Sequence, residues 1–208
     1  GLVFIIGLQC GIEGAYFNRS VGSPAYAGVF AAWCDLRELV PYAFGYMMAA
    51  KVGTGIVAEI GSMRITEEID ALEVMGIDSM TFLCATRLLA AWMVLPFLYI
   101  SAVGAGFAAS YLAVVIQIGE VSQGGYSLIF WQFQNPPDLL FSAMKAMSMA
   151  TVIVLVGCYY GYTASGGPVG VGTATAKSMV LNIVLVHLIG MLGTQLFWGQ
   201  NPRAPIGG

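Results

Sequence analysis

Glu59-Ile-Gly-Ser-Met-Arg-Ile-Thr-Glu-Glu-Ile-Asp-Ala-Leu-Glu-Val-Met-Gly-Ile-Asp78 is the one strongly polar island in a chain that is otherwise almost continuously apolar. Six of the chain's eleven acidic residues, Glu59, Glu67, Glu68, Asp70, Glu73 and Asp78, fall inside it. At 3.6 residues per turn, Ile65, Ile69 and Leu72 share one narrow stripe, while Thr66, Glu67, Asp70 and Glu73 lie opposite. Thr66 is placed to cap a helix whose first turn carries Glu67 and Glu68, where the helix dipole favours negative charge. Gly76 stands where a helix-ending glycine is expected. The island therefore reads as a short amphipathic helix, too short to span a bilayer. It either lies on the membrane surface or docks a soluble partner.

Outward from the island, composition sets the phase. Hydrophobic residues make up 58% of the 208-residue chain and charged residues 9%, against about 25% charged in soluble proteins. The chain is an integral membrane protein of all-α class. At roughly 20 residues per crossing it holds about four to six transmembrane helices, and its long unalternated apolar runs argue against a β-barrel. The net charge of −3 identifies no partner, and nothing suggests nucleic acid. Cys10, Cys34, Cys84 and Cys158 are widely separated, lack C-x-x-C spacing, and read as free packing residues.

Taken in order, Gly1 to about Phe17 is expected to be the later part of a truncated first membrane helix. Ala25–Ala58 is apolar around Asp35, Arg37, Glu38 and Pro41, and is read as one bent helix or two shorter ones. Arg87–Ile118 is a membrane helix carrying Pro96, and Glu120–Asp138 an aromatic interface loop. Leu139–Tyr162 and Met179–Trp198 are the remaining spans, separated by a Gly- and Thr-rich turn over Thr163–Ser178. About five membrane segments follow, in a single transmembrane domain over 1–208 with a Pro/Gly tail from Asn201. Lys51, Arg64, Arg87 and Lys177 favour a cytoplasmic island, against Arg19 and Arg203 on the other side.

Catalytic constellations are absent from the sequence: the single histidine, His187, sits among apolar neighbours, and there is no H-E-x-x-H or G-x-S-x-G. Val171–Ser178 approaches a phosphate-binding loop but has Ala176 where the glycine before Lys177 is required. No cofactor is expected on this chain. The informative residues are Arg37, Glu38 and Lys145, charges inside apolar spans that would each cost at least about 2.5 kcal/mol at a lipid-facing bilayer centre. They either line a substrate path in the protein interior or mark helix ends, with Lys145 able to snorkel to the interface.

The island is similar to the coupling segment of the MlaE/YrbE permeases, with its E-I-G-x-M-R-x-T-E pattern. Leu36-Arg37-Glu38-Leu39-Val40-Pro41 resembles that family's L-R-E-L-x-P, with Val40 where glycine is commoner. Gly161-Tyr162 and the Gly/Thr-rich stretch after it resemble a later cytoplasmic turn. Ala49-Ala50-Lys51-Val52-Gly53 and the clean acidic run look most like the YrbE permeases of mycobacterial Mce lipid-transport systems. The resemblance implies a multi-pass protein of the bacterial plasma membrane, without an ATPase site of its own. It implies as partners a cytoplasmic ABC ATPase dimer binding ATP and Mg, a second, related but non-identical permease, a periplasmic Mce assembly and membrane lipids. Glu59, Arg64, Ile65, Glu67, Glu68, Ile69, Asp70, Leu72 and Glu73 would then couple to the ATPase, and Arg37, Glu38 and Lys145 would lie near the lipid path. The cargo would be a fatty acid, mycolic acid or sterol. A secondary transporter or channel using those charges, or a membrane scaffold recruiting a soluble protein, are the competing classes.

Overall fold

The computed structural model describes residues 1–201, and every regular element in them is helical. The expected Pro/Gly tail, with Arg203, lies for the most part outside the described residues. Helix α1 is Leu2–Ser20 and α2 runs unbroken from 27 to 65. The short α3 is Glu68–Val74, α4 is Ser79–Ile118, α5 is Gln123–Gln132, α6 is Pro136–Tyr162 and α7 is Gly167–Trp198. Helices α4, α6 and α7 are long and apolar enough to cross a membrane. The 40 residues of α4 extend about 60 Å against a hydrocarbon core of about 30 Å, so part of it stands outside the apolar layer. The 19-residue α1 and the long α2 cover the other two segments expected from the sequence, and neither is among the helices that length and apolar composition mark as able to cross.

Two loops read from the sequence are helical instead. Within Glu120–Asp138, Ser122 caps α5 by accepting the Gly125 amide at 3.1 Å, and Tyr126, Phe130 and Phe133 bury one side at helical spacing. Within Thr163–Ser178, α7 begins at Gly167 with Pro168 in its first turn, a position that suits proline. The Thr173 and Thr175 hydroxyls donate back to the carbonyls of Val169 and Val171 at 3.0 and 2.8 Å, so glycine and threonine there do not break the helix. Helix α4 likewise starts at Ser79, before Arg87.

Helix α2 is continuous through its charges, with π-helical stretches over Ala31–Leu39 and Met48–Gly53. Pro41 has no N–H to donate to the Arg37 carbonyl four residues back. That carbonyl instead accepts from the Lys145 ammonium at 2.9 Å.

The chain forms two compact units. The first comprises Gly1–Phe44, Phe97–Ala146 and the chain from Gly190. Its core joins Ala15, Ala27, Ala31 and Val114 to the ring cluster of Tyr126, Phe130 and Phe133. There α1 approaches α4 so closely that a Cβ on Gly7 would lie 2.7 Å from the Gly106 carbonyl oxygen, the small-residue contact membrane helices favour. The second unit comprises Gly45–Pro96 and Met147–Ile189. Its core is Ile56, Ile60, Ile69, Leu83, Val154 and Cys158.

Candidate functional site

In the second unit the polar island divides into three parts. Helix α2 carries Glu59 and Arg64 to its end at Ile65, and Thr66 closes that helix rather than capping the next. The capping position of α3 belongs to Glu67, whose φ of 62° is the one left-handed non-glycine backbone among the described residues. A side chain held there costs on the order of 1 kcal/mol or more. Helix α3 ends as the sequence predicts: Gly76, at φ 77°, donates to the Glu73 carbonyl at 2.9 Å and Ile77 to the Leu72 carbonyl at 3.1 Å, the paired bonds of a Schellman ending.

The stripe predicted to grip a partner is split. Ile69 is fully buried in the unit's core, Leu72 is half-buried and Ile65 is exposed. The reason is that Ile69 packs with Ile56, Ile60 and Leu83, so it anchors α3 to this unit.

The acidic residues divide the same way. Glu59 pairs with Arg87 at 2.8 Å and Asp70 with Arg64 at 2.7 Å. The Glu73 carboxylate accepts the hydroxyls of Ser79 at 2.9 Å and Tyr162 at 3.0 Å, tying α3 to the start of α4 and the end of α6. Asp78 caps α4 by accepting the Thr81 amide at 3.1 Å and its hydroxyl at 2.8 Å. The Thr81 amide holds its carboxyl below the usual carboxylate range. Glu67 and Glu68 are exposed, Glu68 accepting the Thr66 hydroxyl at 3.0 Å, and Val74, 88% exposed, and Met75 are exposed at the other end of α3. The island thus presents a small acidic and apolar knob held from behind by buried and hydrogen-bonded groups.

In the first unit Arg37, Glu38 and Lys145 come together with partners the sequence did not single out. Arg37 donates through Nε and Nη2 to Asp138 Oδ2 at 3.0 and 2.7 Å. Its guanidinium lies 4.3 Å from the Trp33 ring centre and 5.4 Å from that of Trp198, and Trp198 Nε1 donates to Asp138 Oδ1 at 2.9 Å. Lys145, whose side chain is wholly buried, donates to Glu38 Oε2 at 2.9 Å and Thr194 Oγ1 at 2.7 Å. Thr194 also donates to Glu38 Oε1 at 2.5 Å. Lys145 therefore does not snorkel. Burial of charge in an apolar phase is tolerable only with such pairing, and the network fixes a turn of α2 against α6 and α7 within this unit.

Asp138 escaped the sequence reading because the segment before α6 reads as a loop; Thr194 and Trp198 carried no charge to mark them. Asp35, also fully buried, takes the Ser110 hydroxyl on Oδ2. His187, in the second unit, is exposed and meets the Tyr46 hydroxyl at 2.9 Å. The four cysteines are free.

The sequence profile of the family described as "Permease MlaE" matches residues 1–196. A probable ABC transporter permease protein of Rickettsia bellii is 34% identical over 162 residues, which are 78% of this chain and 62% of that protein. The chloroplastic protein TRIGALACTOSYLDIACYLGLYCEROL 1 of Arabidopsis thaliana is 29% identical over 185 residues, 87% of this chain and 50% of that protein. A probable ABC transporter permease protein of Synechocystis is 28% identical over 188 residues, 90% of this chain and 69% of that protein. The chain thus spans about three fifths of the length of the rickettsial relative. With the family profile covering nearly all of the described residues, the chain belongs to the MlaE permease family.

Proposed function

We propose that this chain is the membrane subunit of an ATP-driven lipid transporter, and that ATP is hydrolysed by a separate cytoplasmic ABC ATPase dimer. The observation that carries the reading is the knob around α3. Glu67, Glu68, Val74 and Met75 point outward, while Ile69 and Glu73 bind α3 to the helices behind it. A partner that grips the knob moves α3, and α3 pulls on α4 and α6 through Ser79 and Tyr162. The nine residues assigned to coupling then have separate duties. Glu67, Glu68 and Ile65 face the partner, Glu59, Arg64, Asp70 and Glu73 brace the segment, and Ile69 and Leu72 seat it.

Lipid as cargo is supported by the family and by a relative whose name contains a diacylglycerol lipid. The finer reading places the chain in an Mce-type assembly of the bacterial plasma membrane, beside a related, non-identical permease and under a periplasmic Mce assembly. It rests on Ala49-Ala50-Lys51-Val52-Gly53 and the clean acidic run, and takes the cargo to be a fatty acid, mycolic acid or sterol. Arg37, Glu38 and Lys145 would then stiffen the wall of the lipid path through their pairing with Asp138 and Thr194. Charge reversal at Glu67 and Glu68 tests the proposal: an ATPase that still co-purifies and still drives lipid movement at the wild-type rate would overturn it.

A further inference from the structure

The hairpin of α1 and α2 in the first unit brings two free thiols together. The helices run antiparallel across the turn at 21–26 and pack closely at Gly14, where a Cβ would lie 2.6 Å from the Phe30 ring. Four residues back along α1 and four on along α2, on the same two faces, stand Cys10 and Cys34. Their thiols are hydrogen-bonded to one another, and Cys10 is also hydrogen-bonded to Asp35. Facing positions on a closely packed helix pair meet the demand of a disulfide for two Cβ vectors that point toward each other.

The two thiols differ in access. Cys10 is 1% exposed. Cys34 is half-buried and lines a groove of about 600 Å³ whose walls include Tyr26, Trp33 and the exposed Phe17. A reagent in the groove therefore reaches Cys34 first, and Cys10 stands behind it in the position of a resolving cysteine. Buried cysteines commonly do no more than pack. What sets this pair apart is the groove that opens onto one sulfur and the carboxylate beside the other.

We infer that Cys10 and Cys34 form an oxidisable dithiol, a modification site that takes a small apolar disulfide through the groove and closes to an intramolecular disulfide. The Cys34 thiolate attacks one sulfur of the oxidant R–S–S–R, giving Cys34–S–S–R and releasing the first R–S⁻. The Cys10 sulfur then attacks the Cys34 sulfur and releases the second R–S⁻, its own proton passing to Asp35. The thiol pair thus loses two electrons and two protons, and the oxidant gains the electrons. The new bond ties α1 to α2 three residues before Arg37, and it requires neither an ATPase nor a lipid cargo.

The test treats the full chain, purified in mild detergent with whatever subunits accompany it, with dithiodipyridine. Peptides are then made without reductant and identified by mass spectrometry. The wild type should yield linked Cys10–Cys34 peptides, with the pyridylthio adduct on Cys34 below about a tenth of them, because a neighbouring thiol acts at a far higher effective concentration than the reagent. Cys10→Ser should trap that adduct, raising it at least about tenfold, and dithiothreitol should restore both thiols in the wild type. A wild type in which Cys34 keeps the adduct beside a reduced Cys10 overturns the proposal. So does one in which neither thiol reacts while the denatured chain reacts at both. Should Cys10→Ser fail to fold, the ratio of linked peptide to adduct in the wild type still decides.

Discussion

Replacing Arg37 by Met strips the buried carboxylate of Asp138 of its charge partner and leaves it the Trp198 indole as its identified donor. The Asp138 side chain is 1% exposed and that of Arg37 8%, so bulk solvent does not make up the loss. Breaking a buried pair on one side costs about 3–5 kcal/mol, mostly the penalty of an uncompensated charge. For about 200 residues, each kcal/mol shifts Tm by roughly 2–4 °C, so at about 4 kcal/mol Arg37→Met should lower Tm by about 8–16 °C. Asp138→Leu should do comparable harm by removing the buried carboxylate that balances the guanidinium. The double variant removes both charges and is expected to recover more than half of either loss, retaining a deficit of about 1–2 kcal/mol for the lost hydrogen bonds. Tryptophan fluorescence during heating in mild detergent is a direct probe, since Trp33 and Trp198 flank the guanidinium. If the two single losses add in the double variant, or if Arg37→Met melts within 2 °C of the wild type, the pair is not the buried unit described here.

Three further outcomes follow from the island. Tyr162→Phe deletes the hydroxyl that reaches Glu73 and Ser79; it should weaken the α3 attachment by about 1 kcal/mol and speed proteolysis between Val74 and Asp78 without changing Tm by more than a few degrees. Glu67→Gly should relieve the left-handed backbone at that position, keeping or raising thermal stability by on the order of 1 kcal/mol, even though it removes a partner-facing charge. Asp78 has a depressed folded-state pKa, so its cap is fully present above the unfolded carboxylate value of about 4 and is lost as pH falls through the lower folded value. Hydrogen exchange at the Thr81 amide, corrected for intrinsic rate, should therefore accelerate only in acid, and Asp78→Asn should remove most of that pH dependence.

The helical character of the chain was legible because apolar runs near 20 residues have few other uses. The end of α3 was legible because a glycine after a short periodic run has a specific backbone role, and Gly76 fills it. The beginning of α3 was not. Thr66 has the right chemistry for a cap, but α2 continues to Ile65 and places Thr66 within its closing turn. The Ile65, Ile69 and Leu72 stripe assumed one helix, but α2 ends at Ile65 and α3 begins at Glu68, so only Ile69 and Leu72 share a helix; the destination of Ile69 depended on Ile56, Ile60 and Leu83, which no local window contains. Arg37, Glu38 and Lys145 were recognisable from the cost of charge in lipid. Their partners lie about 50 to 156 positions away in sequence, and Thr194 and Trp198 resemble any other residues of an apolar helix. The α5 and α7 starts were missed because Gly, Ser and Thr signal turns in water, whereas Thr173 and Thr175 satisfy their hydroxyls on helix carbonyls.

The most direct measurement of the central claim compares the wild type with a Glu67→Lys/Glu68→Lys variant after gentle purification, scoring ATPase co-purification and ATP-dependent lipid movement in proteoliposomes. The account predicts loss of both, with the buried Arg37–Asp138 network and thermal unfolding intact. A variant that keeps the ATPase and moves lipid at the wild-type rate, or a wild-type chain that purifies without any ATPase and transports unaided, would contradict it.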